Sequence, residues 1–385
     1  MTARRLGLPD KFVILAIAAV ASAGCSGKAA TGARYQPEQC RRIALLDVAT
    51  GKTIRGAEDI ALDPARDRLY VSAYDRRSVE RAVRRKAFSI PEGGVYSVSL
   101  SGLLESGDEA PATPVVRADE IAGGLRPHGI SFNPEIGEIA FINRGYQRID
   151  DRWRMTPRIE RIGVDGEAIV GEEDQTPCAA NDLLDEPSQA LISFDHERCD
   201  WRSGLEDALS LRRSGVAADD GARLFDAALF ANGIARMEDG RIALAATREK
   251  ALLLMDERGE GLKVSSRIAL PGGPDNLTVS ADGGIVAAVH PSLLLMGLDR
   301  RLALGAAPSR IVKADPRSGG VEVLFDDPGG ALFSAATVAA EWQGALIVGS
   351  VVDEGLLVCR AARLRQGFGG PAQRLAAAAL AKAAG

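Results

Sequence analysis

The chain has 385 residues, a net charge of −5 and 26% charged residues of mixed sign. So mild an acidity excludes the basic footprint of a nucleic-acid binder. Three histidines and five cysteines, none at zinc-ligand spacing, give no support to a transition-metal fold.

Met1 to Lys11 carries Arg4, Arg5 and Lys11, and Phe12 to Ala23 is an apolar run too short to span a bilayer. Residues 1–24 therefore read as a signal peptide of lipoprotein type, ending in Ser22-Ala23-Gly24 before Cys25. Acylation of Cys25 would account for the odd cysteine. Ser22 stands where such sites usually carry Leu, and cleavage after Ala23 would instead leave Cys25 a free thiol. The expectation is export to a bacterial periplasm or cell envelope, with a lipid anchor in the membrane. Residues 25–39 read as a linker and 40–360 as one all-β domain.

Within that domain a polar pair recurs before an apolar run: Glu58-Asp59, His128-Gly129, Asn181-Asp182, Asn232-Gly233 and Asp275-Asn276, with a weaker copy at Ala336-Thr337. A strand repeat of roughly 40–50 residues marks a β-propeller. Four units also show apolar run, turn, apolar run, as in Ile130 to Ile142 and Leu277 to Ala287. Asp239-Gly240 and Asp282-Gly283 are hairpin turns in this reading and not ligands. The predicted fold is a six-bladed propeller of four-stranded blades, its two chain ends joined in one blade.

The basic stretch Arg76 to Lys86 reads as a solvated loop or a turn of surface helix, or else as a rim over the site. Asp200 to Gly221 reads as a short helix or an irregular insertion, and Trp153, Trp201 and Trp342 as packing residues. Pro371 opens an Ala-rich helical tail within 361–385. Cys40 and Cys359 bracket the repeats, so a bond between them would close the ring. Cys178 and Cys199 either pair or stand as small buried residues, since sequence does not fix connectivity.

Carboxylates at Glu58 and Asp275 and amides at Asn181, Asn232 and Asn276 are hard oxygen donors of the kind calcium prefers. Neighbouring residues on a strand point to opposite sides. Glu58 and Asp59, like Asn181 and Asp182, then serve two different ions. Asp275 and Asn276 could share one only from a loop entering the strand.

In order, Gly-Ala-Glu-Asp-Ile (56–60), Pro-His-Gly-Ile-Ser (127–131), Asn181-Asp182, Ala-Asn-Gly-Ile (231–234), Asp-Asn-Leu-Thr-Val (275–279) and His290-Pro291 resemble the paraoxonase/arylesterase family. That family belongs with the six-bladed propellers similar to gluconolactonase and SMP-30. The resemblance implies Glu58, Asn181, Asn232, Asp275 and Asn276 as ligands of a catalytic calcium. It implies Asp59, Asp182 and the Ile130 carbonyl as ligands of a structural calcium, His128 in proton transfer, and a Cys40–Cys359 disulfide. One departure stands out: Arg144 lies where the family carries a second histidine, and a guanidinium cannot relay a proton. His196 and His290 read as packing or supporting residues.

The implied function is calcium-dependent hydrolysis of lactones or aryl esters, with the ion polarising the carbonyl and His128 assisting water. The alternative is a non-catalytic, calcium-stabilised propeller serving as a ligand-binding or scaffold lipoprotein.

Overall fold

A computed structural model describes residues 32–116, 121, 123–164 and 175–361. The expected signal peptide, Cys25 and the Ala-rich tail lie outside the described residues. None of the described helices is long and apolar enough to cross a membrane.

The predicted hairpins form where the apolar runs are. The strands are β1 (Cys40–Asp47), β2 (Ala57–Asp63), β3 (Arg68–Ala73), β4 (Gly94–Ser99), β5 (Glu109–Pro114), β6 (Pro127–Asn133), β7 (Glu138–Ile149) and β8 (Arg152–Gly163). Then come β9 (Ala180–Glu186), β10 (Gln189–Phe194), β11 (Ser214–Ala218), β12 (Arg223–Ala228), β13 (Ala231–Arg236), β14 (Ile242–Ala246), β15 (Ala251–Arg258) and β16 (Gly261–Ala269). The last are β17 (Gly273–Val279), β18 (Ile285–His290), β19 (Ser309–Ala314), β20 (Val321–Asp327), β21 (Ala336–Trp342), β22 (Ala345–Ser350) and β23 (Leu356–Arg360). Between strands lie α1 (Arg76–Arg84), α2 (Leu100–Glu105), α3 (Ser203–Ala208) and α4 (Leu293–Leu302). The Asp-Gly turns are as expected, with Gly240 and Gly283 in the left-handed region at φ 84° and 81°.

Three sheets run in chain order, as β9 to β12, β13 to β16 and β17 to β20. The sheet β6-β7-β8 has three strands among the described residues. An eight-stranded sheet, β2-β3-β4-β5-β1-β23-β22-β21, joins the chain's two ends. There β1 pairs antiparallel with β23, setting Cys40 opposite Cys359, and runs parallel to β5. The Cys40–Cys359 disulfide locks this seam, and a second disulfide links Cys178 to Cys199. Two disulfides fit an exported protein. Ahead of β1, Arg34 and Tyr35 donate backbone hydrogen bonds to Val323 and Leu324 of β20, so this part of the expected linker is packed on the domain.

The strands β2, β6, β9, β13, β17 and β21 touch in a closed cycle, each against the next. Apolar side chains fill the spaces between neighbouring sheets. One such layer holds Ala243, Ala245, Leu252 and Leu254 against Ile285, Ala287, Val289 and Val312. Alanines in the second strand of each sheet let the sheets approach, and each buried Leu or Ile contributes roughly 1.5–3 kcal/mol. The apolar core is thus spread around the ring, which leaves the axis to polar groups.

Candidate metal centre

All six inner strands bulge at the recurring polar pair. The register slips between Ala57 and Asp59, Pro127 and Ile130, Ala231 and Ile234, Pro274 and Leu277, and Ala336 and Val338. In β9 the three steps from Ala180 to Leu183 face the two from Phe194 to Ile192. A bulge inserts one residue and re-aims its side chain. This corrects the expectation that Asp275 and Asn276 need a loop: both lie inside β17, and the bulge frees them from strict alternation. Glycine follows His128 and Asn232 because the next inner strand passes there. A Cβ on Gly129 would lie 2.5 Å from Asp182 Cα, and one on Gly233 2.6 Å from Asp275 O.

Bonds tie most of the expected residues together. Asn232 Nδ2 donates to Asp275 Oδ1 at 2.5 Å, while His290 Nε2 lies 2.7 Å from Asp275 Oδ2. Asn276 Nδ2 and Thr337 Oγ1 both donate to the Glu58 carbonyl, at 3.1 and 2.7 Å. His128 Nδ1 stands 2.5 Å from Glu58 Oε2, yet neither atom makes a hydrogen bond of acceptable angle. Ser72 Oγ donates to the His128 carbonyl and fixes its strand. Asn181 on the adjacent β9 turns its amide nitrogen to Asp195 Oδ2 at 3.3 Å.

What these bonds leave over is informative. Glu58 Oε2, Asn181 Oδ1, Asn232 Oδ1 and Asn276 Oδ1 are buried acceptors with no hydrogen-bond partner among the described residues. Each amide nitrogen is engaged, so the free atom of every asparagine is its oxygen. A buried unsatisfied acceptor costs about 1–3 kcal/mol. Four of them, from four inner strands, fit a hard cation such as calcium. Among the described residues, no three His, Cys, Asp or Glu side chains form a metal-binding group, because this donor set relies on amides.

Electrostatics sharpen the picture. Burial and the Arg144 charge pull His128 down to about 3, so its ring is neutral at working pH. Burial opposes ionisation of Glu58, but His128, Arg76 and Arg144 outweigh it and hold the carboxyl below its usual range. Arg76 Nη1 lies 3.9 Å from Glu58 Oε1.

A second cluster lies further along the same strands, at a cavity of about 200 Å³ lined by Asp59, Ile130, Asp182 and Ile234. Asp59 accepts from the amides of Ile60 and Ile130, and Asp182 from those of Leu183 and Ile234, all at 2.8–2.9 Å. Burial and the charges of Asp182 and Glu58 push Asp59 well above its normal value, and burial raises Asp182 to about 7. Facing carboxylates of this kind call for a cation. Ile130 shows its amide to Asp59.

His290, expected to pack or to support the site, takes the supporting place and lies within hydrogen-bond reach of the candidate ligand Asp275. The hairpin register sets it opposite Gly273, so counting across the turn would have found it. Trp201 is 73% exposed, contrary to the packing expectation, because it leads into α3 on an external loop. The stretch from Arg76 forms α1, which packs against α4 beside the site.

No protein-family model and no curated protein matches the chain. A gluconolactonase structure from Xanthomonas campestris is similar at 15% identity and a TM-score of 0.50, covering 87% of this chain and 98% of that one. Another structure described as a gluconolactonase gives 16% identity and a TM-score of 0.49, over 85% and 94% of the two chains. Virginiamycin B lyase from Staphylococcus aureus gives 10% identity and a TM-score of 0.45, over 84% and 99%. At 15% identity the likeness to the Xanthomonas structure concerns the fold alone, an all-β architecture of propeller type. The narrower likeness to paraoxonases and arylesterases rests on the sequence motifs.

Proposed function

We propose that this protein is a six-bladed propeller binding two calcium ions, and that it hydrolyses lactones or aryl esters at the ion near Glu58. The observation that carries this reading is the set of four partnerless oxygens on Glu58, Asn181, Asn232 and Asn276. Asp275 completes the set, oriented by Asn232 and His290. Asp59 and Asp182, with the Ile130 backbone, hold the second, structural ion. The general likeness to gluconolactonase structures supports a lactone substrate.

Calcium bound there would polarise an ester carbonyl and stabilise the oxyanion formed on water addition. The chain's own contribution is proton handling and order. His128 is neutral and next to Glu58, so one ring nitrogen offers a lone pair to a water proton. Arg144 takes no proton, so His128 works without a second histidine. His290 and Asn232 keep Asp275 from turning away, while α1 and α4 shield the site from bulk water.

Chelator titration tests the proposal, with phenyl acetate and a simple lactone as substrates. Hydrolysis should vanish with calcium and return when it is restored; activity that survives complete removal refutes it. A lipid anchor at Cys25 is part of the proposal and is checked by mass spectrometry of the exported protein.

A further inference from the structure

Arg144 is a buried cation close enough to Glu58 and His128 for its charge to act on both. It lies on β7, 5% exposed, and its backbone amide donates to the Arg126 carbonyl at 3.0 Å. Its Nη2 makes one long bond, 3.4 Å, to the carbonyl of Ala180, the residue before Asn181. Its Nε is buried and has no partner. No carboxylate forms an ion pair with it among the described residues. Several arginines elsewhere in the fold come with acids, Arg161 with Glu138, Asp185 and Asp219, Arg236 with Glu186, and Arg310 with Asp326, while the equally buried Arg126 donates to three backbone carbonyls, of Ile90, Pro91 and Gly123. Burying a charge without a partner costs several kcal/mol, so a position that keeps one has a use for it.

The surroundings carry the same excess. Arg76 of α1 and Arg300 of α4 share the carboxylate of Glu80, which Arg84 also approaches, and Arg76 has Glu58 at 3.9 Å besides. Arg77 ties α1 to Asp299 of α4, which fixes both helices beside the metal centre. With a divalent cation bound, the charges of Glu58 and Asp275 are matched by the ion, and the Arg144 guanidinium is left over. The centre is then net positive, with the planar Arg144 donor fork beside it, held at the carbonyl of Ala180. Such a fork suits carboxylate or phosphate oxygens.

We infer that Arg144 binds an anionic group on the substrate, so that the preferred substrates are esters or lactones bearing a carboxylate or phosphate close to the scissile bond. This inference rests on the hydrolase reading above. Arg144 holds the anion, while Arg76 and Arg300 add attraction at the approach.

The test compares phenyl acetate, 4-acetoxybenzoate and 4-acetoxyphenyl phosphate as substrates of the calcium-loaded protein, its Arg144→Gln and its Arg144→Lys variants. Calorimetry of benzoate and of inorganic phosphate gives an independent readout. The ratio of kcat/KM for an anionic substrate to that for phenyl acetate should fall about tenfold or more in Arg144→Gln, as expected for a lost hydrogen bond to a charged group. The loss should appear mainly in KM, with partial recovery in Arg144→Lys, and anion affinity should fall in parallel. Whichever of benzoate and phosphate binds more tightly identifies the natural group. A ratio and an anion affinity unchanged in Arg144→Gln, with hydrolysis intact, overturn this inference alone. No hydrolysis of any substrate, with Arg144-dependent anion binding retained, overturns the hydrolase reading alone. Thermal melts of both variants confirm that they are folded, and the lysine variant decides if the glutamine variant is not.

Discussion

Replacing Asp182 by asparagine separates a metal site from an ordinary buried acid. In the calcium-free protein the carboxyl rises from 3.8 to about 7, chiefly through burial. The folded state then holds this proton more tightly than the unfolded chain does. Below the unfolded value of 3.8 the group costs nothing. As pH climbs from there toward 7, stability is lost, reaching about 4 kcal/mol above the folded value. Asparagine removes that penalty but sets an amide NH2 against one of the N–H groups of Leu183 and Ile234, at a fixed cost of about 1–3 kcal/mol. Taking the difference between two pH values cancels the fixed cost. In excess chelator, Asp182→Asn should gain about 3 kcal/mol relative to the parent on going from near pH 4.5 to near pH 8. With saturating calcium the variant should instead be the less stable protein at pH 8. Urea unfolding at both pH values, with chelator and with calcium, measures all four quantities. A variant whose relative stability ignores both pH and calcium would show that this carboxylate has no metal to serve.

Further outcomes follow from the same geometry. Asn232→Ala should lower calcium affinity or kcat/KM roughly 10–100-fold, and His290→Ala should act similarly by releasing Asp275; parent-like values for both would contradict the ligand set. Burial opposes the charged form of His196, but the carboxylates of Asp195 and Asp207, which accept from its ring nitrogens, outweigh it and lift His196 from 6.5 to about 10. Its stabilisation is complete below pH 6.5 and lost as pH rises through about 10, so His196→Gln should flatten the stability profile in that window. An unaltered slope in unfolding experiments argues against the triad. Opening the Cys40–Cys359 bond, which spans 319 residues, should cost roughly 5–6 kcal/mol on the chain-entropy account. A loss below about 1 kcal/mol, measured by denaturant unfolding of the double serine variant, would mean that β1 holds the seam unaided.

Much of the ring was legible because each inner strand announces itself twice, by a polar pair and then by a hairpin of apolar runs. The seam between Cys40 and Cys359 could be read for the same reason: both cysteines bracket the repeats. The bulges were not legible. They arise from an extra residue in one strand of a pair, a property of the ladder that no single segment displays, and they explain how Asp275 and Asn276 both face the axis. His290 and Arg144 stood out in the sequence as a supporting residue and a departure from the family pattern, but their contacts, with Asp275 and with the Ala180 carbonyl, depend on register across a turn. The helices α1 and α4 are distant in sequence and meet through Arg77 with Asp299 and Glu80 with Arg300, pairings that neither segment displays by itself. The Cys178–Cys199 bond spans the hairpin mouth at Asn181 and Asp195, a closeness visible only once β9 and β10 are paired.

Calcium content bears most directly on the account. Equilibrium dialysis followed by elemental analysis, paired with anomalous diffraction from crystals grown in calcium, should find two ions per chain. One belongs among Glu58, Asn181, Asn232, Asp275 and Asn276, and the other between Asp59 and Asp182. A fully folded protein that retains no calcium at millimolar concentrations, with these oxygens filled by water alone, would contradict it.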